Sequence, residues 1–183
     1  YEIHERLVGS EMCIRDSVRS VFFCESAFDA MAFYQMNRIQ IGDGAALVSL
    51  GGTFSDRQIT GVMERFPNAR AFDCFDNDLA GRIYGLRMMA LQEGIQMKIS
   101  RTDGGIRIEA KGKVFEPDME RPLLAQVARQ LNIRYRMGQW LPPKAFKDWN
   151  DCLLNRPMEP VISPHKEERE QNLSEQRNKG RKI

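Results

Sequence analysis

Short β-forming apolar runs alternate with helical segments between residues 18 and 100, and few architectures accommodate that rhythm. Residues 18–24 contain Val21-Phe22-Phe23-Cys24, an unbroken apolar run of the kind a strand covered on both faces carries. Residues 26–37 read as a helix that is apolar nearly all round, so it should be well covered. A second strand spans residues 45–50 and is broken by Gly51-Gly52. Ser55, with Gln58 three residues on, has the pattern of a capping box and opens a helix ending near Pro67. A third strand covers residues 69–75, a long helix residues 78–93, and Gly94 stops it. A fourth strand follows at 95–100. The spacing predicts βαβ units and an α/β fold with an open, mainly parallel sheet flanked by helices.

Residues 101–117 interrupt the pattern. Ile106-Arg107-Ile108 and Val114-Phe115 flank Lys111-Gly112-Lys113 and predict a small hairpin. A helix over 122–131, a strand over 133–141 and a short helix over 148–154 complete the ordered part, with Pro157 beyond the last helix. The expected organisation is one domain over residues 18–156, with a hairpin-plus-helix insertion at about 101–132. After Ile162 the chain is rich in Glu, Lys, Arg, Asn and Gln, and residues 157–183 are expected to form a disordered polar tail. Leu7 to Ser17, LVGSEMCIRDS, matches an in-frame translation of transposase-type sequencing-adapter DNA. Residues 1–17 are therefore expected to be library-derived and unstructured, with a true N-terminal portion missing.

Composition narrows the function. Of 183 residues, 42% are hydrophobic and 28% charged, the balance of a globular protein. No run approaches the roughly 20 apolar residues of a membrane-spanning helix, so no membrane association is expected. The net charge of +2 neither announces a nucleic-acid partner nor forbids a local basic groove. Four cysteines without C-x-x-C spacing, and two histidines, argue against structural zinc. Cys24 and Cys74 lie in apolar runs and read as buried thiols, in keeping with a reducing cytoplasm. With so little histidine, chemistry falls to carboxylates.

Those carboxylates gather at predicted strand ends, where open parallel sheets bind ligands. Glu25 follows the first strand directly. Asp76 and Asp78 follow the third, with Asp73 earlier on it, and Asp148 and Asp151 follow the last strand. Two residues apart on an extended chain, Asp76 and Asp78 leave the same side, and paired carboxylates suit Mg²⁺ or Mn²⁺. Simpler roles compete. Asp29 fits a capping box with Ser26, Asp78 and Asp148 could be N-caps, and Asp151 could lie in a first helical turn. Asp73 could face solvent or a basic neighbour, and Arg82 could pair with Asp78 four residues back. Glu25 has no such capping role, since Ser26 already fills it.

Glu25 at a strand end, Gly51-Gly52-Thr53, and Phe75-Asp76-Asn77-Asp78-x-Ala80-Gly81-Arg82 together resemble a Toprim domain. That family includes the catalytic domain of bacterial primases, parts of type IA and type II topoisomerases, and several nucleases. The resemblance covers about residues 20–155. Lys147-Asp148-Trp149-Asn150-Asp151, after Leu141-Pro142-Pro143, is similar to the third acidic motif of primase-like members, especially those of mobilisable and conjugative elements. The resemblance implies Glu25 as general acid/base or metal-linked carboxylate, Asp76 and Asp78 as the metal pair, and Asp148 as the third-motif acid. Asp29 and Asp151 would support them, and Arg82, Lys144 and Lys147 would contact a phosphate backbone.

The expected function is metal-dependent nucleotidyl transfer on DNA by a primase-like domain of a mobile-element replication or mobilisation protein. Its partners would be single-stranded DNA, nucleoside triphosphates and other replication or mobilisation proteins. A Toprim nuclease is the first alternative, since the same acids would activate water. A non-catalytic module that binds nucleic acid or a replication protein is the second.

Overall fold

A computed structural model describes residues 17–158. Its main sheet has four parallel strands: β1 (Ser20–Cys24), β2 (Ala45–Ser49), β3 (Arg70–Asp73) and β7 (Gly138–Gln139), in the order β2-β1-β3-β7. Three further strands, β4 (Met97–Thr102), β5 (Gly105–Ala110) and β6 (Lys113–Phe115), form a separate antiparallel sheet. The helices are α1 (Ala27–Ile41), α2 (Asp56–Arg65), α3 (Leu79–Gln92), α4 (Leu123–Leu131) and α5 (Trp149–Leu153). The α/β class and the parallel sheet flanked by helices are as the sequence predicts.

Strand β1 sits inside the main sheet, between β2 and β3, and that explains its uninterrupted apolar run. Val21 and Phe23 point into a core completed by Ile59 of α2 and Leu86 and Met89 of α3. Phe22 and Cys24 point the other way, onto Ala32 and Phe33 of α1 and Trp149 of α5. Two-residue alternation thus assigns each helix pair to a face of the sheet. Burying Phe22 and Phe23 contributes about 3 kcal/mol each. Aromatic edges tighten the α1–α5 side: Phe33 lies 5.0 Å from Trp149 and 5.6 Å from Trp140, both edge-on.

Several local expectations differ from the structure. The strand expected at 95–100 lies outside the parallel sheet. Strand β4 turns back after Asp103-Gly104, with Thr102 opposite Gly105, so its nearest partner is antiparallel. The predicted hairpin is β5–β6, joined through Lys111 (φ 50°) and Gly112 (φ 72°), the paired positive φ of a tight hairpin turn. Ile106, Ile108 and Ala110 of β5 alternate inward and join the core built on α2 and α3. The strand expected over 133–141 is reduced to Gly138 and Gln139. Phe72 leaves no room for a side chain at 138, since a Cβ there would lie 2.4 Å from its ring. Ser55 precedes α2 but makes no side-chain capping bond. Among the described residues no helix is long and apolar enough to cross a membrane. The readings on residues 1–16 and 159–183 lie outside the described residues.

Candidate metal centre

Parallel strands end their backbones at one rim, and the acidic residues arrive there by three routes. Glu25 directly follows β1. Its Oε1 accepts a hydrogen bond from the Asp76 backbone N–H at 3.2 Å, which joins the end of β1 to the turn after β3. Asp76 is buried at 8% exposure within that turn. The turn packs against the start of α3 because residue 81 is glycine. A Cβ at Gly81 would fall 2.3 Å from the Asp76 carbonyl oxygen and 2.9 Å from Glu25 Oε1.

The second route is α1. Ser26 caps this helix by accepting the Asp29 N–H, as the sequence pattern suggests. The Asp29 carboxylate is buried and reaches further than the cap. Its Oδ2 accepts the Ser26 hydroxyl at 2.5 Å and its Oδ1 accepts the Asn150 N–H at 3.2 Å. One carboxylate therefore ties the first turn of α1 to the first turn of α5.

The third route is the segment before α5. Asn77 clamps it. Its backbone N–H donates to the Lys147 carbonyl at 2.7 Å, and its side-chain amide reaches the carbonyls of Pro142 and Phe146 at 3.0 and 2.8 Å. Asp148 follows, capping α5 through the Asp151 N–H at 2.7 Å. Ligand oxygens of Asp29, Asp76 and Asp148 lie within 4.8 Å of one another. This donor set fits a hard divalent cation, which takes carboxylate oxygens and keeps several waters.

Charge at the rim is unbalanced. Burial, reinforced by the neighbouring Glu25 and Asp29 carboxylates, pushes Asp76 up to about 7. Burial raises Glu25 as well, outweighing the Asp76 N–H bond that favours its ionised form. Lys147 Nζ lies 3.4 Å from Asp76 Oδ2 and 3.7 Å from Asp78 Oδ2. Partial burial disfavours its charge, but the surrounding carboxylates prevail and its pKa is raised.

The other candidates occupy varied positions. Asp78 lies at the rim with Oδ1 capping α3 through the Gly81 N–H at 3.0 Å, outside the three-oxygen group. Asp151 lies in the first turn of α5, also outside the group. Arg82 makes no ion pair with Asp78; its guanidinium donates to the Arg121 carbonyl at 3.0 Å. Lys144 is exposed and pairs with no carboxylate among the described residues. Asp73 faces neither solvent nor a cation. It is 1% exposed, accepts the Phe75 N–H and the Gln139 side-chain amide, and packs against Gly85 of α3. Asp73 shares its side of the strand with Ala71 and Phe75, and that side faces the core built on α2 and α3.

Residues 22–105 match the Toprim-like family model. The Toprim-like segment contains Glu25, Asp29, Asp76 and Asp78, while Asp148 and Lys147 lie beyond it. No curated protein and no solved structure matches the chain. A Toprim-like domain and an acidic triad at its sheet rim together imply a metal-binding, DNA-related role. The sequence reading did not single out Asn77, whose amide joins the Toprim-like segment to the Asp148 segment. Its place between two aspartates was the available signal.

Proposed function

We propose that this chain carries a metal-dependent phosphoryl-transfer domain acting on DNA, a primase-like Toprim domain of a mobile-element replication or mobilisation protein. The observation that supports it best is the convergence of Asp29, Asp76 and Asp148, from three separated stretches of chain, beside Glu25. The Toprim-like match and the third acidic motif at 147–151 support the same reading. Single-stranded DNA and nucleoside triphosphates are the proposed substrates, with Mg²⁺ or Mn²⁺ as cofactor.

Asp29, Asp76 and Asp148 would hold the ion, with Asp78 at the rim and Asp151 in the supporting helix turn. When bound, a divalent ion neutralises phosphate oxygens and makes a nearby hydroxyl a better nucleophile. Glu25 takes or returns the proton at a carboxylate oxygen, and burial makes that carboxylate hold its proton more tightly than an exposed one. Asn77 keeps the Asp148 segment in register with the turn that bears Asp76. Arg82, Lys144 and Lys147 would meet the DNA backbone. No membrane component is needed, and a cytoplasmic setting suits the free thiols of Cys24 and Cys74.

The test is primer extension on a labelled single-stranded template with nucleoside triphosphates and Mn²⁺. Glu25→Gln should lower turnover at least about 100-fold while the chain still folds and melts at or above the wild-type temperature. Unchanged turnover would remove Glu25 from the mechanism. Strand cleavage without nucleotides would instead establish the nuclease reading. DNA binding without either reaction, surviving loss of the acids, would establish a binding module.

A further inference from the structure

We propose that Lys147 is a resident counterion of the acidic rim, an ammonium that a divalent ion must displace in order to bind. The inference rests on the metal reading above and adds a residue that opposes binding. Lys147 Nζ bridges Asp76 and Asp78, at 3.4 and 3.7 Å, and Asp76 is one of the three carboxylates that could hold the ion. A cation on Asp76 and the bridging ammonium would compete for one carboxylate.

The residue is built to move at one end. Its carbonyl is held by the Asn77 N–H at 2.7 Å, so its backbone is pinned beside the site. Its side chain is 48% exposed, and a lysine stem is long and flexible enough to swing its ammonium into water. Glu25, Asp29, Asp76, Asp78 and Asp148 crowd the rim, and among the described residues Lys147 is the cation paired with any of them. A divalent ion neutralises that charge better than one ammonium. Once displaced, the ammonium remains tethered at the mouth of the site, where a phosphate would meet it.

The experiment is calorimetric titration of the full chain with Mn²⁺ at fixed pH. Lys147→Met keeps the alkyl stem and removes the charge, and should bind Mn²⁺ about five- to tenfold more tightly than the wild type. Lys147→Arg should stay near the wild type. Lys144→Met removes a neighbouring exposed charge that touches none of the acids, and should change affinity less than about twofold. Equal affinity in Lys147→Met and wild type would overturn the proposal while leaving the metal site standing. An equal gain from Lys144→Met would overturn it too, because a general field would then account for the effect. No Mn²⁺ uptake by any of these chains would overturn the metal reading, and this inference with it.

Discussion

Asp73 and Asp76 are three residues apart and buried for different ends. Asp73 holds strands and helix together without a cation, and burial lifts it to about 6, against the pull of its bonds from Gln139 and the Phe75 N–H. A carboxyl whose folded-state pKa is raised binds its proton more tightly in the folded state. Its stabilisation is therefore full below about pH 4 and lost as pH rises through 6. Asp73→Asn should remove that loss, about 3 kcal/mol between pH 4 and pH 8, in urea melts of the metal-free chain. A slope equal to the wild type's would place the charge elsewhere. Asp76 adds the same sign over a wider window, up to about 7. Asp76→Asn should raise the melting temperature of the metal-free chain at pH 8 and abolish Mn²⁺ binding. Asp76 was legible in the sequence from its position after an apolar strand. The burial of Asp73 is not legible there, because a single aspartate on a strand satisfies either an inward or an outward reading until its neighbours are known.

At the scale of elements, the site depends on close approach. Helix α3 begins against the Asp76 turn only because residue 81 lacks a Cβ. Gly81→Ala should destabilise the chain by about 3 kcal/mol and displace Glu25 from the Asp76 N–H, with metal affinity falling alongside. A stable variant with unchanged affinity would show that the helix start can yield. Asn77→Ala removes an amide that serves the carbonyls of Pro142 and Phe146, at a cost of about 2 kcal/mol. It should loosen the 142–147 segment and weaken Mn²⁺ binding through Asp148, although Asn77 itself is not among the converging acids. The order of helices and strands along the chain was readable from periodicity and punctuation. Pairing was not: nothing in the pattern of residues 97–102 distinguishes a parallel partner from an antiparallel one, and the two-residue link at Asp103-Gly104 decided it.

For the whole molecule, a site assembled from β1, the β3–α3 turn, α1 and the segment before α5 should couple metal binding to global stability. Saturating Mn²⁺ should raise the melting temperature, since a ligand bound only by the folded state at 100 times its dissociation constant adds about 2.7 kcal/mol. The increase should vanish in Asp76→Asn and grow in Lys147→Met at equal Mn²⁺. The sequence by itself determined the α/β class, the covered β1, the buried thiols and the positions of the acids at strand ends. These follow from local periodicity and from the rule that parallel sheets present ligand sites beyond their carboxyl ends. Only the tertiary structure decided that Asp29 joins Asp76 and Asp148 and that Asp78 caps α3. It also decided that Asn77 secures the last segment and that Lys147 lies between two acids. Those outcomes depend on distances between residues up to 121 positions apart in the chain, and no local pattern encodes such a distance.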